Sequence, residues 1–224
     1  EHITSGTNLD LMALPRLLAF ADIVWGAAPR DLAELRKSAP LRAVKGRYDA
    51  LTQDNAFRNL DIFKPIVAAV NGFAISGGFE LALACDLRFC SPNAEFALQD
   101  AKWGFHACDG GLIRLPQIVG LGHAMEIILS GERVDAEHAY RIGLVNRVLP
   151  LADLVADAKK LAHKMASRAP VAVAKTKQAL HTSRQASLAD GNAQERQLFS
   201  ELFATADQKE GMRAFLDKRP PSYQ

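Results

Sequence analysis

The stretch that decides the fold runs from Lys64 to Phe89 and reads KPIVAAVNGFAISGGFELALACDLRF. Its apolar run from Ile66 to Val70 predicts a buried strand rather than a helix, because the run is short and rich in β-branched residues. The run ends at Asn71-Gly72, which is a turn signal. The pair Gly77-Gly78 then introduces FELALACD, which predicts a short buried helix. A strand and a helix joined by tight glycine turns indicate an α/β unit.

The segments on the C-terminal side continue this organisation. Leu87 to Cys90 predicts another strand, Pro92-Asn93 a turn, and Glu95 to Gln99 a half-buried strand with alternating apolar positions. From residue 110 the pattern becomes helical, and Asp135 is a candidate N-cap for a helix over residues 136–142 that stops at Gly143. The remaining expectations are one last strand from Val145 to Leu149 and three or four helices over residues 151–217.

On the N-terminal side, Glu1 to Thr4 predicts the end of a strand that enters a turn at residues 5–8. Residues 9–36 predict helices broken at Pro15 and Pro29, and residues 37–63 predict a surface helix with a loop. We expect a core domain over residues 1–150 and a helical region over residues 151–224.

Composition excludes several classes of protein. The chain has 224 residues, of which 49% are hydrophobic, enough for one large domain or two small ones. A net charge of +2 gives no reason to expect nucleic acid or a membrane surface as a partner. The three cysteines have neither disulfide nor zinc-site spacing, which favours a reduced, cytoplasmic setting and no metal. No apolar run is long enough to span a bilayer.

Two glycine-containing turns could carry chemistry, Ser5-Gly6-Thr7 and Ser76-Gly77-Gly78. Each follows an apolar strand, and the second opens a helix, whose first N–H groups are unpaired and carry positive potential. Together the two turns could aim two N–H donors at one oxygen atom, as an oxyanion hole does. Spacing alone also allows two ordinary tight turns, which are common in α/β proteins.

Two carboxylates follow these turns, Glu80 in the first turn of the helix and Asp100 after the strand at residues 95–99. Acids that flank an oxyanion hole can move protons to and from carbon or water. Glu80 alone could equally be a helix N-terminal acid, and Asp100 a loop acid or an N-cap. His106 and Asp109 precede Gly110-Gly111, where a single histidine is more often structural than catalytic. No G-x-S-x-G motif, dinucleotide fingerprint or P-loop occurs.

Taken together, these segments resemble the crotonase (enoyl-CoA hydratase/isomerase) superfamily. The resemblance covers about residues 2–12 and 64–220. It rests on the stretch quoted above and on four further segments: HITSGTNLDLM, EFALQDAKWGF, GGLIRLPQIVGLGHAMEIILSGERVDAEHAYRIGLVNRVLP and KEGMRAFLDKRPP. It implies an α/β fold with a spiral ββα core and a C-terminal helical region used for trimerisation, as a trimer or hexamer.

The resemblance also implies a set of site residues. The oxyanion-hole N–H donors would belong to Thr7 and Gly77, and the catalytic acids would be Glu80 and Asp100. Further contacts to an acyl-CoA thioester would come from Ser5, Gly6, Asp10, Gly78, Phe215 and Lys218. No metal or redox cofactor is implied, and coenzyme A enters as part of the substrate.

Three features depart from the family pattern. Asp100 stands where hydratases usually have glutamate, and Asp10 stands where lysine is common, which weakens one expected phosphate contact. The family's opening strands are not represented, so we expect a truncated or incompletely represented N-terminus, and the segment between residues 13 and 63 is longer than usual.

The sequence therefore predicts an enzyme of fatty acid metabolism that hydrates a 2-enoyl-CoA through a stabilised enolate. Double-bond isomerisation or hydrolysis on the same scaffold is the first alternative, with Asp109 as an extra acid. A non-catalytic acyl-CoA-binding protein is the second.

Overall fold

The computed structural model describes residues 63–223. They fall into two compact units, residues 66–158 and residues 63–65 with 159–223. The predictions for residues 1–62 lie outside the described residues, and the predicted domain boundary at residue 150 stays a prediction.

Within residues 63–223, six short strands form two sheets of three strands each. The strands are β1 (Val67–Val70), β2 (Phe73–Ile75), β3 (Leu87–Cys90), β4 (Glu95–Ala97), β5 (Val134–Asp135) and β6 (Arg147–Val148). One sheet has the order β1-β3-β6 and the other the order β2-β4-β5. All pairings are parallel except that of β4 with β5.

The helices of the first unit begin with α1 (Gly77–Ala84), and a 3₁₀ helix covers Asp100–Trp103. They continue with α2 (Gly111–Val119), α3 (Leu121–Ser130) and α4 (Ala136–Arg141). The helix α5 (Leu151–Ala166) crosses the boundary between the units. The second unit contains α6 (Pro170–Ser183), α7 (Leu188–Leu202) and α8 (Ala206–Leu216), so four helices follow residue 150, as predicted.

The first four strands enter the two sheets alternately, so this part of the chain winds as a spiral. β1 and β2 precede α1, and β3 and β4 then lie parallel to them, one in each sheet. The turns between the paired strands are tied together, because Ser91 donates to Asn93, which donates to the carbonyl of Asn71. The core between the layers is apolar and includes Phe79, Phe96 and Leu115, all with 0% exposure.

Most of the sequence-predicted elements of this unit are present, with three differences. The strand β2 was not predicted, because three residues between two turn signals carry too little pattern. The strand predicted from Glu95 to Gln99 ends at Ala97, and Asp100 opens a 3₁₀ helix instead of following a strand directly. The last strand is limited to two residues. The predicted cap is confirmed, since the Asp135 side chain accepts the N–H of His138 at 2.7 Å.

Candidate active site

The N-terminal end of α1 presents unpaired backbone donors. The carbonyl of Ser76 accepts the N–H groups of Phe79 at 2.8 Å and Glu80 at 2.9 Å. Within residues 63–223, the N–H groups of Gly77 and Gly78 have no acceptor. A Cβ added at either glycine would meet nothing within 4 Å, so there is open space beside both donors. This end of the helix can therefore receive an oxygen atom of a ligand.

Ser76 gives this turn its unusual direction. Its φ of 48° and ψ of −118° lie in a region that residues with a Cβ rarely adopt. Its N–H donates to the carbonyl of Ala97 at 2.8 Å, which fixes the turn to the end of β4. The sharp turn lets the chain pass from β2 directly into α1.

Glu80 is held from the opposite side by a loop. Its side chain is 4% exposed, and its Oε1 accepts the N–H of Asp109 at 2.8 Å and the N–H of Gly111 at 2.9 Å. A Cβ on Gly111 would stand 3.0 Å from that oxygen and 3.0 Å from Cδ1 of Leu98. A side chain at this position would force Glu80 or Leu98 to shift, so glycine suits the close approach of α2 to Glu80.

Burial raises the pKa of Glu80 above its ordinary range, because a charged carboxylate is poorly solvated there. The two N–H bonds oppose this rise, while the negative charges of Asp109 and Asp100 add to it. Three buried carboxyl groups are thus close enough to interact, with exposures of 4% for Glu80, 8% for Asp100 and 7% for Asp109. Perturbed carboxyl groups beside anion-binding donors are typical of acid–base sites.

Asp100 has an incomplete hydrogen-bond set. Among the residues that the structure describes, no atom is within hydrogen-bonding distance of its buried Oδ2. A buried carboxylate oxygen without a donor is costly, so a water or a substrate is expected to supply one.

A clamp around the 3₁₀ helix positions Asp100. Gln99 donates to the carbonyl of Gly131 at 3.2 Å, and Lys102 forms an ion pair with Glu132 at 2.8 Å. Gly131 has a φ of +65°, and a Cβ there would stand 2.9 Å from Cε of Lys102. The loop after α3 therefore holds both ends of the segment that carries Asp100.

The structure brings part of the predicted site together. Gly77, Gly78 and Glu80 lie in the first turn of α1, and Asp100 lies close enough to Glu80 to affect its pKa. Phe215 and Lys218 belong to the second unit and are exposed. The other predicted residues, Ser5, Gly6, Thr7 and Asp10, lie outside the described residues. The role of each predicted residue stays a prediction.

Sequence reasoning missed the backbone contribution of Asp109, the steric role of Gly111 and the strain at Ser76. Gly110-Gly111 was visible as a glycine pair, but its partner across 31 residues was not. The signal for Ser76 was its place between an apolar strand and a glycine pair.

The two-sheet spiral and this acid-lined set of backbone donors define a class of protein, the crotonase-fold acid–base enzymes. The chain belongs to the enoyl-CoA hydratase/isomerase family, the crotonase superfamily, whose sequence pattern matches residues 27–224. The resemblance and the fold class predicted from the sequence are confirmed.

Individual relatives carry hydratase names. The short-chain-enoyl-CoA hydratase of Clostridium acetobutylicum is 39% identical over 220 residues, which are 98% of this chain and 83% of that protein. A mitochondrial enoyl-CoA hydratase of Pongo abelii is 39% identical over 79% of this chain, which spans 58% of that relative. The solved enoyl-CoA hydratase of Bacillus anthracis is 34% identical with a TM-score of 0.74, covering 84% of this chain and 72% of that one.

Proposed function

We propose that this protein adds water to a 2-enoyl-CoA thioester. The observation that carries the proposal is the pairing of two buried carboxyl groups, Glu80 and Asp100, beside the unpaired N–H groups that open α1. The family membership and the hydratase names of several relatives support it. The residues within 1–62 that the family pattern implies, Thr7 above all, are part of the proposal.

In this mechanism the N–H of Gly77 donates to the thioester carbonyl oxygen, which gains negative charge as water adds to the β-carbon. A fixed donor stabilises this enolate more than it stabilises the neutral thioester, and this difference lowers the barrier. The matching donor would be the N–H of Thr7.

The carboxyl groups would handle the protons. Water loses a proton as it attacks, and the α-carbon gains one, so one carboxyl must be ionised while the other is protonated. The raised pKa of Glu80 favours it as the protonated partner. Oδ2 of Asp100 has no donor among residues 63–223, which suits it to accept a hydrogen bond from the water. The reaction requires no metal or redox cofactor, and coenzyme A is part of the substrate.

The test is hydration of crotonyl-CoA and longer 2-enoyl-CoAs, followed by loss of the conjugated thioester absorbance. Turnover with at least one of them supports the proposal, and no turnover with any of them overturns it. Tight CoA binding without turnover across the panel would instead favour an acyl-CoA-binding protein.

Double-bond isomerisation is a second candidate, favoured by the third buried acid, Asp109, whose charge acts on Glu80. An isomerase would move the double bond of a 3-enoyl-CoA into conjugation without adding water. The appearance of an unhydrated 2-enoyl-CoA, followed by NMR, separates this reaction from hydration.

A homotrimer or a dimer of trimers is also part of the proposal. It is supported by large apolar side chains of the second unit that are more than half exposed: Leu180, Leu188, Phe199, Phe203, Phe215 and Leu216. Light scattering at micromolar concentration tests it, and a monomer would contradict it.

A cytoplasmic location rests on the cysteines. None of the three forms a disulfide, and burial raises the pKa of Cys90 to about 11, which keeps that thiol unreactive. In the part of the chain that the structure describes, no helix is both long and apolar enough to cross a membrane.

A further inference from the structure

Ser76 carries a strained backbone that the hydration mechanism does not use. A non-glycine residue in such a conformation costs on the order of 1–3 kcal/mol and persists where its surroundings hold it, often at functional sites. Glycine would fill this position without that cost. The hydration mechanism needs only the N–H groups that follow, so the serine side chain has no part in it.

The geometry around Ser76 is that of a nucleophile elbow. In such an elbow a serine sits on a strained turn between a strand and a helix, and the N–H of the next residue contributes to the oxyanion hole. Here Ser76 lies between β2 and α1, with φ 48° and ψ −118°, and the next N–H is the unpaired one of Gly77. Ala74, which is buried, and Gly78 occupy the two positions where the motif has glycine.

The hydroxyl of Ser76 is uncommitted. Within residues 63–223 it makes no hydrogen bond, and it does not cap α1. The open space beside Gly77 and Gly78 gives an incoming carbonyl room to reach the donors.

We propose that Ser76 is a nucleophile that slowly transfers the acyl group of a CoA thioester to itself and then to water. The proposal rests on the acyl-CoA site proposed above. Ser76 Oγ forms a bond to the thioester carbon, the carbon–sulfur bond breaks, and the hydroxyl proton passes through a site carboxylate to the departing sulfur. Water then cleaves the ester, which returns the serine hydroxyl and releases a carboxylic acid.

The proton carriers are the buried carboxyl groups of the same site. Glu80 lies one helical turn after Ser76, and Asp100 has a carboxylate oxygen that no group of the described residues bonds. No hydrogen bond joins Ser76 Oγ to either of them, so the hydroxyl is not preactivated and the transfer is slow. Net thioester hydrolysis therefore accompanies the main reaction at a low rate.

Butyryl-CoA is the probe, because a saturated acyl group cannot be hydrated. Released coenzyme A is followed with a thiol reagent, and acid-quenched full-length protein is examined by intact mass and by peptide mapping. Wild type is expected to release thiol above the spontaneous rate and to carry one butyryl group on Ser76. Ser76→Gly is expected to lower thiol release by a factor on the order of 10² or more.

Two controls keep the result interpretable. Ser76→Ala keeps the strained Cβ and lacks the hydroxyl, so equal loss in both variants assigns the effect to the hydroxyl. Thermal melting shows that the variants fold, and Ser76→Gly is expected to melt no lower than wild type.

Three outcomes overturn the proposal: no thiol release by wild type above the spontaneous rate, unchanged release in Ser76→Gly, or an adduct that maps to Glu80 or to the exposed Cys108. A parallel crotonyl-CoA hydration assay on wild type separates the two proposals. Hydration without thiol release defeats only the nucleophile, whereas the absence of both reactions also defeats the proposed function.

Discussion

The two ends of α1 differ in the hydrogen bonding of their backbone groups. At the C-terminal end, the buried Arg88 donates to the carbonyls of Ala82 at 3.2 Å and Cys85 at 2.6 Å. The same guanidinium donates to the carbonyl of Leu144 at 2.8 Å, and we call the end of α1 that Arg88 bonds the saturated end. At the N-terminal end, the N–H groups of Gly77 and Gly78 have no acceptor among the described residues.

In this eight-residue helix, the polar groups at one end stabilise the fold, whereas those at the other end are available to a ligand. Proteins satisfy nearly all buried polar groups, so a saturated end contributes stability, and an open end is completed by a ligand. Changes at the open end should therefore cost activity, and changes at the saturated end should cost stability.

The largest effect is expected for Glu80→Gln at the open end. It should lower crotonyl-CoA hydration by roughly 10²–10⁴, because the amide cannot exchange the required proton. Glu126→Gln, on an exposed position of α3, is the matched control and should change little. Retention of more than a tenth of wild-type activity in the Glu80 variant would contradict the role.

The stability of Glu80→Gln relative to that of wild type should increase as the pH rises. The folded-state pKa of Glu80 is raised by burial, so the folded protein binds this proton more tightly than the unfolded chain does. Glu80 therefore favours folding at low pH and loses that contribution as pH rises above its ordinary value and through its raised pKa. We expect the melting temperature of Glu80→Gln, relative to wild type, to increase from pH 4 to pH 8.

The next effect concerns the donor itself. Gly77→Pro removes one N–H, which typically costs on the order of 10²–10³ in rate. Gly77→Ala keeps the N–H and places its Cβ in open space, so it is the matched control. Both are assayed for hydration and CoA affinity once folding is shown by circular dichroism. Equal activity in the two folded variants would rule out the donor role.

At the saturated end, Arg88→Met should destabilise the protein by roughly 3 kcal/mol or more, because the carbonyls of Cys85 and Leu144 lose a donor and that of Ala82 keeps the N–H of Cys85. Arg133→Met removes the exposed ion pair with Glu95 and the contact of the guanidinium with the Phe73 ring, and it should cost less than about 1 kcal/mol. Urea unfolding of both variants measures the difference. Similar losses of unfolding free energy in the two variants would mean that the hydrogen bonds of Arg88 stabilise the protein no more than an exposed ion pair does.

The smallest effect is expected at Asp100. Aspartate is one carbon–carbon bond shorter than glutamate, about 1.5 Å. Asp100→Glu should therefore raise hydration a few-fold if the short acid limits proton transfer, and Asp100→Asn should lower it. If Asp100→Glu abolishes a strong native activity, the short acid serves a different reaction. Unchanged activity in Asp100→Asn would remove Asp100 from the mechanism.

The sequence predicted the elements whose patterns are local. The apolar strand before Asn71-Gly72, the helix after Gly77-Gly78 and the cap at Asp135 each follow from neighbouring residues, and the structure has all three. The position of Glu80 in the first turn followed from the same helix start.

Features that depend on contacts between distant segments could not be predicted this way. The N–H groups that hold Glu80 come from a loop about thirty residues later, and burial, which no spacing reports, raises its pKa. The backbone angles of Ser76 depend on its bond to Ala97 in the next layer of the spiral.

The loop at residues 131–132 fixes the segment that carries Asp100, so this loop can influence which substrates related sequences prefer. A Cβ on Gly131 would stand 2.9 Å from Cε of Lys102, so the lysine side chain would have to shift, and Glu132 pairs with the same lysine. A mutation in this loop re-aims Asp100 while both acids stay unchanged. New substrate preferences can therefore arise in a lineage, or be selected in the laboratory, from a position thirty residues away that carries no reactive group of its own.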